Sequence, residues 1–184
     1  MNLYSDKIIE HAKSSRENMQ TAICVGLAFN ELRNILVRDF AKALAARLKK
    51  GNWDVDIKPW ENEPFAKYAG MVCRKSNWIK DLYVCIEAQT GGGHDYIIGI
   101  AAHSDKIASE TKNQIFLALK NHFGNSTSNE WWAWYRNLSD DYRHFDKERT
   151  LMALYSQSEF LEDICKEIEE IGGVVDGCLS AKTL

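Results

Sequence analysis

Apolar positions along the 184 residues change period several times, and each change marks an expected element. Over residues 5–23, Tyr4, Ile8, Ala12, Met19 and Ile23 stand at loose helical spacing behind a Ser5-Asp6 capping signal. Gly26 marks a break before a second helix over residues 30–50, where Leu32, Ile35, Leu36, Phe40, Ala43, Leu44 and Leu48 form one stripe and Gly51 stops it. The period then falls to two, with Trp53, Val55 and Ile57 alternating against Asp54, Asp56 and Lys58 until Pro59. Residues 61–67 read as a loop. Residues 68–74, 82–89 and 96–102 read as three further strands, the last two joined across Gly91-Gly92-Gly93 as a hairpin. Within 82–89, alternation puts Leu82, Val84, Ile86 and Ala88 on one face and Tyr83, Cys85, Glu87 and Gln89 on the other.

The helical period returns after Ser104, carrying Ile107, Thr111, Ile115, Ala118, Leu119 and His122 to a stop at Gly124. A polar turn over 125–129 leads into Glu130-Trp131-Trp132-Ala133-Trp134-Tyr135-Arg136, which is dense in aromatics. Residues 140–147 read as surface loop and 148–155 as a short helix with Leu151 and Leu154 inward. A capping box at Ser156 and Glu159 opens a last helix with Phe160, Leu161, Ile164, Ile168 and Ile171, which Gly172-Gly173 ends or kinks. Short connections without helices between the strands imply an antiparallel meander. The expected fold is α+β: one domain over 1–184, with about four antiparallel strands packed by N-terminal and C-terminal helices.

An apolar share of 45% with 27% charged residues is that of a soluble globular chain. Its net charge of -3 gives no global attraction for phosphate, so any nucleic-acid contact must come from a local patch. One such patch is the polar face of the second helix, with Arg33, Arg38, Lys42, Arg47, Lys49 and Lys50 against Glu31 and Asp39. A solvated helix face and a phosphate-contacting face are both open readings of it. Five cysteines without short spacing suit neither a disulfide framework nor a tetrahedral metal site, and point to reduced core residues in the cytoplasm. No leader and no apolar run near the roughly 18 residues of a membrane span is present, so neither secretion nor membrane insertion is expected.

Candidate chemistry centres on Glu87. Metal-dependent nucleases place one carboxylate on a strand and an acid-x-lysine on the next, the carboxylates holding Mg²⁺ and the lysine activating water. Glu87 supplies one carboxylate, with Glu31, Asp54 and Asp56 as further candidates, but Gln89 stands where the lysine belongs. The triple glycine lacks the GK[ST] ending and following helix of a phosphate loop, and His94, Asp95 and His103 lack a metal-ligand spacing. No Gly-x-Ser-x-Gly elbow is present. Trp131, Trp132, Trp134 and Tyr135 either cap the core or present anchors for a protein interface or stacking platforms for bases, with Arg136 and Arg143 near them.

Four stretches together resemble a known group: Gly-Leu-x-x-Asn-Glu-Leu-Arg-Asn-x-Leu at 26–36, Ile-Glu-x-Gln at 86–89, Tyr-Ile-x-Gly-Ile at 96–100 and Glu-Trp-Trp-x-Trp-Tyr at 130–135. They look like prokaryotic and phage proteins of the PD-(D/E)XK nuclease-like group, more closely the region C-terminal to the nuclease domain. Of that group's catalytic motif only Glu87 has a counterpart. The resemblance implies a prokaryotic or phage setting, such as a defence or counter-defence locus. The expected function is a non-catalytic interaction or regulatory module without a cofactor. Its binding residues would be Trp131, Trp132, Trp134, Tyr135 and Arg136 with Arg33, Arg38 and Lys42, a protein partner being favoured over nucleic acid. The alternative is a degenerate nuclease using Glu87, Gln89 and Glu31 with Mg²⁺. The acidic last helix, with Glu159, Glu162, Asp163, Glu167, Glu169 and Glu170, could also meet the basic face within one chain or across a homodimer.

Overall fold

The computed structural model describes residues 3–180. In chain order these form α1 (Leu3–Lys13), α2 (Arg16–Lys49), β1 (Trp53–Asp56), α3 (Lys58–Asn62), β2 (Gly70–Lys75), β3 (Tyr83–Thr90), β4 (His94–Ala101), α4 (Ser109–Phe123), β5 (Trp132–Asn137), α5 (Glu148–Ser156) and α6 (Ser158–Ser180). By contacts the chain divides into two compact units, residues 1–35 and 36–184. No helix among the described residues is long and apolar enough to cross a membrane.

In the first unit the helix break falls at Ser14-Ser15, not at Gly26. Ser14 Oγ donates to the His11 carbonyl at 2.7 Å, and the Asn18 backbone N–H donates to Ser15 Oγ at 3.1 Å. One serine thus closes the end of α1 and the other caps the start of α2. Gly26 lies inside α2 with nothing near the position a Cβ would take. A single mid-helix glycine costs about 1 kcal/mol relative to alanine, which long helices absorb.

The second unit is built on a five-stranded antiparallel sheet whose order, β1-β2-β3-β4-β5, follows the chain. Four of these strands match the meander implied by the period-two runs. The fifth lies in the tryptophan segment. Residues 61–67 also differ from a plain loop, since α3 extends to Asn62.

On one face of the sheet lies the core. Val84, Ile86 and Ala88 of β3 and Tyr96, Ile98 and Ile100 of β4 join Val37, Phe40, Ala41, Leu44 and Leu48 of α2 and Ile164, Ile168, Ile171 and Val175 of α6 in one buried cluster. Phe40 stacks on Phe160 with ring centroids 4.4 Å apart. Leu32 and Ile35, expected on the same stripe, are exposed, and Ser156, expected as a cap, is the last residue of α5. Nor does α6 stop at Gly172-Gly173. A Cβ on Gly172 would come within 2.6 Å of the Trp53 ring, so this glycine lets the helix approach β1 closely. Trp53 Nε1 donates to Glu169 Oε1 at 2.9 Å, and Trp78 Nε1 donates to Asp176 Oδ1 at 2.6 Å. Lys75 Nζ also bonds Asp176 at 2.7 Å, which fixes the far end of α6 to the β1–β2 edge.

Candidate functional site

The other face of the sheet carries no helix residues in its own small apolar cluster, made of Cys85, Ile97, Ala101 and Trp132 with Val72, Tyr83 and Tyr135 partly buried against it. Strand register orders this face into rows. One runs Asp56, Val72, Cys85, Gly99, Tyr135, and the next runs Gly70, Glu87, Ile97, Asn137. Two glycines therefore flank the positions of Cys85 and Glu87 on neighbouring strands, where side chains would otherwise fill the surface. Both are required by the backbone itself: a Cβ on Gly70 would strike the Ile86 carbonyl, and one on Gly99 would strike the Trp134 carbonyl.

The result is a cleft of about 520 Å³ lined by residues of β3, β4, β5 and the loops beside them. Tyr83, Cys85, Glu87, Gln89, Ala101 and Trp132 form its buried or half-buried floor, and Tyr68, Asp81, His103, Lys106, Asn129 and Trp131 its rim. Glu87 and Gln89 are two residues apart on one strand and so face the cleft together. Gln89 Nε2 donates to Glu87 Oε1 at 2.9 Å, and Cys85 Sγ donates to Glu87 Oε2 at 3.7 Å. Among the described residues no cationic side chain pairs with Glu87. Burial pushes its carboxyl above the usual glutamate range, and the hydrogen bonds from Gln89 and Cys85 offset this only in part. Cys85 is pushed well above the ordinary thiol range by burial and by the Glu87 charge, so it stays a protonated donor and not a nucleophile. Arg74 lies over the outer Tyr83 ring, 4.8 Å from its centroid.

Trp131 owes its position to a turn. Asn129 Oδ1 accepts from the backbone N–H groups of Trp131 at 2.9 Å and Trp132 at 3.0 Å, and the Asn129 N–H donates to the Trp132 carbonyl at 3.1 Å. The turn holds Trp131 at the rim, 57% exposed, with its ring 4.2 Å from that of His103 and its Nε1 donating to Glu130 at 3.0 Å.

The chain matches no family model, curated protein or solved structure.

The aromatic segment proves to be β5, and a bulge opposite Ile100 and Ala101 divides its side chains. Trp132 pairs with Ala101 on the cleft face, whereas Trp134 pairs with Ile100 in the core, although strict alternation would put both on one face. Trp134 is fully buried against Phe123, so it cannot serve as a binding residue in this conformation. Tyr135 lies half-buried on the cleft face. Arg136 is drawn to α6, where its guanidinium bonds Glu167 at 2.8 Å. Burial raises the Glu167 carboxyl above its ordinary range and Arg136 offsets this.

The basic helix face is dispersed. Arg38 Nε donates to the Glu61 carbonyl at 2.9 Å, Arg47 pairs with Glu162 at 3.7 Å, and Lys42 faces solvent. The acidic last helix thus does meet a basic residue of α2 within the chain. Arg33 belongs to the first unit and lies 5.9 Å from the Phe29 ring centroid. Glu31 belongs there too, accepting from Asn34 at 3.3 Å. Asp54 and Asp56 lie exposed on the edge strand β1, and Asp56 accepts from the Lys58 N–H at 3.0 Å.

His94 pairs with Asp146 at 3.1 Å and Asp95 with Arg143 at 2.6 Å, while His103 turns to Trp131; the three are not brought together. Among the described residues no group of three or more His, Cys, Asp or Glu side chains is placed to hold a metal ion. In the glycine loop, the Gly92 N–H donates to the Phe65 carbonyl at 2.8 Å and is not aimed at an anion.

Proposed function

We propose that the chain is a non-catalytic binding module that takes a protein partner on the open face of its sheet. The observation that carries this reading is the cleft floor itself, where aromatic rings and hydrogen-bonding groups surround one carboxylate, and where the neutral Gln89 occupies the position that would need a cation for hydrolysis. A concave, mostly apolar surface with a few convergent polar groups suits recognition. An exposed tryptophan at its rim suits an interface anchor. The resemblance to prokaryotic and phage proteins suggests the setting, a module that regulates or blocks another protein.

The test compares two variants in two assays. Purified protein is incubated with single-stranded and duplex DNA and RNA in Mg²⁺ or Mn²⁺, and cross-linked pull-downs from a native host are run beside it. The expected result is no nucleic-acid cleavage that depends on Glu87, together with a protein band that is lost in Trp131→Ala. Cleavage that vanishes in Glu87→Ala would sink the binding reading and establish the degenerate nuclease.

A further inference from the structure

Resting on that reading, we infer that the cleft receives an arginine side chain of the partner, with Glu87 as its counter-ion and the aromatic rim as its stacking surface. Three features converge on this ligand. First, Glu87 is the one carboxylate on the cleft floor, and no cation of the described residues pairs with it. A half-buried carboxylate without a counter-ion is unfavourable in a free protein, and proteins retain such groups mainly where a ligand completes them.

Second, the two oxygens are prepared in parallel. Each accepts one hydrogen bond from within the strand, Oε1 from Gln89 and Oε2 from Cys85, which fixes the carboxylate plane and leaves one lone-pair direction of each oxygen for a ligand. Two coplanar acceptors match the paired N–H donors of a guanidinium, a fit that a single ammonium does not use. Third, the walls are aromatic. Tyr83 on the floor and Tyr68 and Trp131 on the rim line the cleft, Tyr68 already carrying Lys67 Nζ at 4.6 Å from its ring centroid, and tryptophan is the strongest ring partner for a delocalised cation. Arg74 already lies over Tyr83, showing that this ring accepts a guanidinium.

Rim charges do not reverse the selection. Asp81 and Lys106 are both exposed and of opposite sign, and His103 Nδ1 is held by Asp105, whose N–H lies at 3.3 Å and whose carboxylate lies at 3.6 Å.

The experiment is a titration of the whole isotope-labelled protein with N-acetyl-arginine methylamide, N-acetyl-lysine methylamide, N-acetyl-norleucine methylamide and agmatine, followed by NMR. The Gln89 side-chain amide and the Trp131 indole N–H are the reporters. Expected are saturable shifts of both signals with the arginine amide, weaker ones with lysine and none with norleucine. Affinity should fall at least tenfold in Glu87→Gln and several-fold in Trp131→Ala, two variants whose folds are checked by their amide spectra. Norleucine shifting the same signals, lysine binding as tightly as arginine, or Glu87→Gln binding unchanged would each overturn the inference. Agmatine binding more tightly than the arginine amide would assign the cleft to a free guanidine and overturn the protein source. Failure here leaves the binding module standing, whereas Glu87-dependent cleavage of nucleic acid removes both readings.

Discussion

Glu87 carries a signature that separates it from an ordinary satisfied polar residue. Its folded-state pKa is raised, mainly by burial, above the unfolded value of about 4.3, so the native state binds the proton more tightly than the unfolded chain does. Stability is therefore greatest below that unfolded value and falls as the pH rises through the folded pKa. Glu87→Gln removes the charge while keeping the shape. The variant is expected to be more stable than the parent at pH 7 by at most about 1 kcal/mol, since Glu87 is partly exposed, with the difference vanishing near about pH 4. Urea denaturation at the two pH values measures it, and equal stability at both would show that the carboxylate is not strained. The strand position of Glu87 and its partnership with Gln89 on one face were legible from alternation alone. Gly70 and Gly99 were not legible as the residues that open the cleft, because which side chains neighbour Glu87 depends on cross-strand register and not on spacing along the chain.

At the scale of elements, α6 is held to the sheet edge by polar anchors as well as by apolar packing. Burial alone would raise the Asp176 pKa, but hydrogen bonds from Lys75 and Trp78 outweigh it and hold the carboxyl below the usual aspartate range. A depressed carboxylate pKa adds stability above the unfolded value of about 3.9, and that contribution is lost as the pH falls through the folded pKa. Asp176→Asn is accordingly expected to lose about 1 kcal/mol at neutral pH, and to flatten the acid limb of the stability profile. Hydrogen exchange should quicken in the last two turns of α6 and not in β3. Unchanged exchange there would mean that Gly172 and the apolar stripe suffice.

The helices were largely readable from period and caps because those signals are local. Two glycine signals misled for one reason: Gly26 and Gly172 each lie within a helix, the first where no neighbour demands a side chain and the second where Trp53 forbids one. The strand character of the tryptophan segment was hidden by its bulge, which turns a period-two pattern into three consecutive buried residues.

Over the whole molecule, the buried apolar side chains among the described residues begin at Val37 and end at Val175. Residues 4–35 contribute exposed apolar groups instead, Leu27 at 79% being the extreme. A chain beginning at residue 36 is expected to keep one cooperative unfolding transition, because it retains every member of the main core cluster. Circular dichroism during heating would show this, and a broad, non-cooperative melt would show that the first unit is needed for the second. The α+β class and the antiparallel meander were within reach of the sequence because β2, β3 and β4 follow one another through helix-free connections, while α3 and α4 occupy the other two. The division into two units was not, since the boundary falls inside α2 and leaves no break in composition.

Strand order that follows chain order also sets a timetable. Each strand from β2 onward finds its partner in the strand just synthesised, so the sheet can assemble from short-range closures as the chain emerges. The inner-face core cluster takes residues from α2, made before the sheet, and from α6, the last described element to leave the ribosome. Ile86, Ile98 and their neighbours therefore lack the α6 part of their cover, and stay open on that side to water and to other nascent chains, until α6 has been made.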